Sequence, residues 1–193
     1  MIHLVSLLTA IALTLPGPWY RPGSEPETPL ERAQRIQTIV EAIALETAEP
    51  PELWPWPAED LALAVLVMTW SESGRWRLEV HHGSRMGDKG RARCLAQVWP
   101  GFLATRSEWR RSAGSDLEST RLCVRLAVRH LTFHADRCRV PMAPSERQMA
   151  RIFSGYASGY SCSPRWLTSV SRAALWGRLR ARTTNELVSL HPL

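Results

Sequence analysis

Leu30, Ala33, Ile36, Val40 and Ile43 recur at intervals of three and four, so residues 29–47 carry the hydrophobic stripe of an amphipathic helix. Thr28 stands at the N-cap, Pro29 at the first helical position, and Glu31 where it completes a capping box. "AEPPELWPWP" breaks the pattern. A second helix starts near Ala58, Glu59 and Asp60, whose acids suit the positive end of a helix dipole. Its body, Leu61 to Trp70, is apolar all round. Crossing a bilayer takes about 20 residues, so this shorter run predicts a helix buried in a protein core. "GSDLESTRLCVRLAVRHLTFHADRC" predicts a long helix with Ser115 and Glu118 as a capping box and with Leu122, Cys123, Leu126, Ala127 and His130 on one face. "PSERQMARIFSGY" repeats the signal with Ser145 and Gln148, and "PRWLTSVSRAALWGRLR" gives a last helix with a basic end.

Residues 78–97 lose the helical period. Short β-prone pieces punctuated by Gly83, Gly87 and Gly90 predict a small β-hairpin lobe. The expected class is therefore α+β and predominantly α-helical. Leu4 to Leu15 is an apolar run of secretory h-region length, although no Lys or Arg precedes it and no clear A-x-A site follows; an uncleaved or amphipathic tail is the other reading. Pro16 to Pro26 has linker composition. The chain thus divides into residues 1–27 as signal peptide or tail plus linker, one domain over 28–183, and a C-terminal tail over 184–193.

Composition changes this picture little. Across 193 residues, 45% hydrophobic and 22% charged content belongs to a globular chain rather than a disordered one. A net charge of +6 favours an anionic partner, such as an acidic wall polymer, a membrane surface or nucleic acid. Arginine is spread along the sequence and no nucleic-acid module signature occurs, so nucleic acid is not the expected partner. Nine Trp are many for this length. Most of them (54, 56, 70, 76, 99, 109, 166 and 176) adjoin core or cleft elements, where packing is the first explanation.

The chemistry starts at "TWSESGRW". Glu72 emerges from the C-terminal end of the apolar helix, and Gly74 lets the chain turn. The negative end of the dipole and the apolar neighbours both raise a carboxyl pKa there. A raised pKa keeps a proton available at neutral pH, as a general acid requires. A solvated glutamate at a helix end, with no role, is the plain alternative.

Three short motifs in order, "ES" at 72–73, "CLAQ" at 94–97 and "GYASG" at 155–159, resemble the E-S, G-L-M-Q and A-Y-N-A-G segments of lytic transglycosylases of the lysozyme-like superfamily. The resemblance spans about residues 58–175. Cys94, Ala96 and Ala157 stand where that family has glycine, methionine and asparagine, which marks a divergent branch. It implies a lysozyme-like fold and cleavage of the β-1,4 bond between N-acetylmuramic acid and N-acetylglucosamine, with Glu72 as acid and then base. By the same resemblance Tyr156 points its hydroxyl at the acid, Ser73, Gln97 and Gly159 line the sugar cleft, no cofactor or metal is used, and an exported monomer acts on peptidoglycan strands. Such a protein serves a cell's own wall, a secretion apparatus or a phage. A hydrolytic lysozyme needs a second carboxylate. Asp88, in "GDKG", is the candidate, against its ordinary use in a turn; Glu79 is read as solvated. A protein of the same fold that binds the wall without cleaving it is the alternative from a different class.

Cysteines 94, 123, 138 and 162 allow three pairings. In an exported protein of this fold Cys94–Cys162 is favoured, since both adjoin motifs brought to one cleft. That leaves Cys123–Cys138, whose helix ends lie about 22 Å apart unless the helix bends. Cys123, His130, His134 and Cys138 share a helical face and His130 and His134 have zinc-site spacing, yet one helix cannot surround a metal ion and "HLTFH" lacks the metalloprotease glutamate. His81 and His82 are read as exposed loop residues, or sugar-cleft contacts at best.

Overall fold

The computed structural model describes residues 2–17, 26–164 and 167–190; most of the linker, Trp166 and the last three residues lie outside them. Among the described residues there are eight α-helices: α1 (Ile2–Thr14), α2 (Pro29–Thr47), α3 (Ala58–Glu72), α4 (Leu78–His81), α5 (Arg106–Arg111), α6 (Leu117–Arg137), α7 (Glu146–Ser158) and α8 (Leu167–Leu190).

The caps explain where the helices begin. Thr28 and Glu31 make the expected reciprocal capping box on α2. Ser145 accepts the Gln148 N–H at the head of α7. On α6 the cap lies one residue later than expected: Asp116, not Ser115, accepts the Ser119 N–H at 2.8 Å. A capping box of Thr105 and Glu108 starts α5, a helix that the apolar period is too short to signal.

Helix α3 is the centre. Every residue from Leu61 to Met68 is at most 1% exposed, because α1, α2, α6 and α8 surround it. A side chain such as Leu66, cut to alanine there, costs about 2–5 kcal/mol. The polar groups at its first turn are also sealed in. Asp60 accepts Arg180 Nε at 2.7 Å, its carbonyl accepts the Trp176 indole N–H at 3.1 Å, and Trp176 packs on Trp56, which packs on Trp54. The apolar N-terminal run joins the same core: Leu8, Ile11 and Ala12 of α1 are at most 1% exposed and the helix lies on α2 and α3. No helix among the described residues is long and apolar enough to cross a membrane.

The expected β-hairpin lobe does not form a sheet. Residues 78–98 fold as α4, a 3-10 turn at Asp88–Gly90 and two isolated antiparallel bridges, Gly87 with Ala92 and Arg93 with Val98. The reason lies in the backbone. Gly83, Asp88, Lys89, Gly90, Cys94 and Gln97 all have positive φ, so the chain reverses before any strand gains length. Compact loop packing replaces ladder pairing, with Ala92, Leu95 and Ala96 fully buried.

The disulfides also differ from the favoured pairing. Cys94 joins Cys123 and Cys138 joins Cys162. Helix α6 runs unbroken from 117 to 137, which holds Cys123 and Cys138 too far apart to meet and leaves each to fix a different neighbouring loop. Two disulfides without a spanning helix fit an exported protein. Non-reducing peptide mapping should recover these two linked pairs, and reduction should lower the unfolding free energy by about 3.5 kcal/mol per bond, the loop-closure value for loops of this length.

Candidate active site

Glu72 is the last residue of α3, and the chain turns away from it through three consecutive left-handed residues: Gly74, Arg75 and Trp76 (φ 66°, 67° and 54°). Glycine adopts this conformation freely, whereas Arg75 and Trp76 hold it at about 1–3 kcal/mol each. Local bonds enforce the turn. The Arg75 N–H donates to the Trp70 carbonyl at 2.7 Å, and the Ser73 hydroxyl donates to Thr69 carbonyl at 2.6 Å while accepting the Trp76 N–H at 2.9 Å. Ser73 is consequently 2% exposed, its hydroxyl committed to the helix end and not to the substrate-binding role expected of it.

The Glu72 side chain opens into a cavity of about 380 Å³. Asp88, Gln97, Tyr156 and Gly159 line the same cavity, together with Trp99, Phe102, His130 and Tyr160. Residues distant in sequence therefore meet around one carboxylate. From behind, α8 supplies Arg172, whose Nη1 donates to Glu72 Oε1 at 2.6 Å. Burial pushes the Glu72 carboxyl above the usual range; the Arg172 charge and hydrogen bond pull it down, Asp88 adds a further upward push, and the net shift is upward. The group is thus poised to hold a proton without losing its orientation.

The other members have defined partners. Tyr156 donates its hydroxyl to the Ala96 carbonyl, not to Glu72, and so clamps α7 to the loop that carries Gln97. Burial and the nearby Glu72 charge push its phenol well above the usual tyrosine range, so it stays a donor. Gln97 sits at φ 50°, donates Nε2 to the Cys94 carbonyl at 2.9 Å, and packs its Oε1 so closely on Gly87 that a Cβ there would stand 1.9 Å away. Gly159 caps α7 in the left-handed region. Asp88 accepts the Trp99 indole N–H at 2.8 Å, which holds the ring on the cleft rim, where it is 42% exposed.

Sequence reasoning missed Arg172 and the cleft position of His130. The basic character of α8 was visible, but nothing in sequence ties residue 172 to residue 72. His130 meets Tyr156 edge-on at 5.6 Å and Phe102 at 5.9 Å, and burial lowers its pKa to about 4, so it lines the cavity as a neutral ring. Its Nε2 has no partner among the described residues. Cys123 and Cys138 are tied up in disulfides and provide no thiolate, and among the described residues no three His, Cys, Asp or Glu side chains are grouped to hold a metal ion. His81 is buried against Thr120 at 2.8 Å, away from the cavity.

Compared with known proteins, the chain matches no family model, no curated protein and no solved structure.

The raised Glu72 pKa has two measurable consequences. In carbon-13 NMR its carboxyl should titrate above the ordinary glutamate range, and Arg172→Gln should move it higher by removing the opposing charge. A value at or below the ordinary range would rule it out as an acid. The folded state also binds this proton more tightly than the unfolded chain, so stability present below the ordinary carboxylate range is lost as pH rises through the raised value. Glu72→Gln should flatten that slope in denaturant titrations across pH.

Proposed function

We propose that the protein is a peptidoglycan lytic transglycosylase that cleaves the β-1,4 bond between N-acetylmuramic acid and N-acetylglucosamine, with Glu72 as both acid and base. The observation that carries this reading is a single carboxyl of raised pKa, projecting from a buried helix end into a cleft that Gln97, Tyr156 and Gly159 also line. In the first step Glu72 gives its proton to the glycosidic oxygen as the C1–O4 bond breaks and its electron pair leaves with O4. In the second, the muramoyl 6-hydroxyl adds to C1 and returns a proton to Glu72, closing a 1,6-anhydro ring. No water is consumed, and one carboxyl suffices.

Arg172 supports both halves: it orients the carboxylate and stabilises the charged form between the two transfers. Tyr156 holds the Ala96–Gln97 loop at its working distance. Trp99 and Tyr160 offer exposed aromatic faces suited to stacking on sugar rings. Disulfides and the absence of a spanning helix among the described residues fit action outside the cytosol, on the wall of a cell or of a phage host. The expected site needs no cofactor.

A second reading, a hydrolytic lysozyme, is favoured by one observation: Asp88 lines the same cavity as Glu72. Against it, the Asp88 carboxylate already orients the Trp99 indole.

Purified sacculi incubated with the full chain, which retains the core helix α1, should release products ending in 1,6-anhydromuramic acid by mass spectrometry. Glu72→Gln should release none while keeping its fold. Ordinary reducing ends would instead indicate the lysozyme, and intact sacculi carrying bound protein would indicate a wall-binding module. Tyr156→Phe leaves the Ala96 carbonyl without its donor, which should cost about 1–3 kcal/mol of stability and lower turnover.

A further inference from the structure

A second and larger groove, of about 740 Å³, opens beside the Glu72 cavity, and the exposed Phe102 ring belongs to both. Its walls carry Arg91, Arg106 and Arg129 against a single acid, Glu108. That acid is already satisfied. It caps α5 through Thr105 and accepts Arg129 Nη1 at 2.7 Å, which together hold its pKa at about 2. Glu108 therefore pairs with Arg129, and no carboxylate among the described residues forms an ion pair with Arg91 or Arg106.

Arg91 is fixed in place before any ligand arrives. Its guanidinium lies over the Trp99 ring at 4.6 Å, and its Nε donates to the Asp88 carbonyl at 3.3 Å. Trp99 is itself held by the Asp88 carboxylate at 2.8 Å. The terminal amino groups of Arg91 have no acceptor among the described residues, and a planar guanidinium held by stacking loses little entropy on taking a carboxylate in two parallel hydrogen bonds. Arg106, at the start of α5, has no acidic partner among the described residues and lines the same groove.

We propose that this groove binds the acidic peptide substituent of the glycan strand, with Arg91 and Arg106 taking its carboxylates. The inference rests on the glycan-strand reading above and adds substrate selection to it. The sugars of such a strand, with muramic acid amide-linked to peptide, bring little charge, so two unpaired arginines next to the cleft match the peptide and not the sugars. The peptide hangs from the muramoyl ring, the ring whose glycosidic oxygen Glu72 would protonate, and Phe102 is the shared wall between the two spaces. Strands bearing peptides are therefore preferred over stripped ones. Asp88 acquires a defined task, holding the Trp99 platform on which Arg91 rests.

The test is direct binding to the full-length Glu72→Gln protein, by calorimetry, of a disaccharide-tetrapeptide and of the same disaccharide without peptide. The peptide-bearing fragment should bind about tenfold more tightly, the size of one charge-assisted contact. That advantage should disappear in the Arg91→Ala, Arg106→Ala double variant and shrink as salt is raised. Equal affinity for the two fragments would overturn the peptide groove and leave the glycan reading standing. Failure of both fragments to bind would remove the glycan reading and this inference with it. An oligonucleotide that bound as tightly as the peptide-bearing fragment would make the groove a general polyanion surface and overturn it as well.

Discussion

The structure depends on burying one helix completely. Because α3 is apolar on every side, four other helices must cover it, and their lengths and cross-contacts follow from that demand. Its two ends are then the places where polar groups are forced against a dry interior. At the first turn Asp60 is matched by Arg180 and Trp176. At the last turn Glu72 is matched by Arg172 on one side and left open to a cleft on the other. The same α8 supplies both arginines, so the helix that seals the core also sets the charge balance at each end of α3.

That balance explains how a carboxyl can be poised without being lost. Burial alone would neutralise Glu72 and free it to rotate; the ion pair alone would keep it charged at all neutral pH values. With both present, burial prevails and the orientation remains. Around it the aromatic residues act as fixed furniture: Tyr156 is tied to Ala96 and Trp99 to Asp88, so the cleft has little freedom to reshape around a ligand.

Much of the helical frame was legible in sequence because it follows from period and capping. The α2 box at Thr28 and Glu31, the Ser145 cap of α7 and the buried run of α3 needed no tertiary information. The α6 cap slipped by one residue because Ser115 and Asp116 are both good caps and only the local bonds decide. Residues 78–98 were misread as a β lobe because glycines and short apolar pieces also mark a hairpin, whereas positive φ at Asp88, Lys89, Cys94 and Gln97 leaves no compositional trace. Arg172 and the disulfide partners were out of reach for a different reason: both are contacts between distant segments, and no local rule specifies them. Gln97, Tyr156 and Gly159, which line the cavity with Glu72, stood in short motifs, but what each side chain holds on to, Ala96 for Tyr156 and the helix end for Ser73, came only from the folded arrangement.

The two disulfides also bear on the width of the cleft. One ties the Cys94 loop, which precedes Gln97, to the second turn of α6; the other ties the Cys162 segment, which follows Gly159, to the C-terminal cap of the same helix. Opposite lips of the cleft are thus riveted to a single beam. With the four thiols reduced, both lips lose their covalent ties to α6 and keep the Tyr156–Ala96 hydrogen bond as a link across the opening that Glu72 faces.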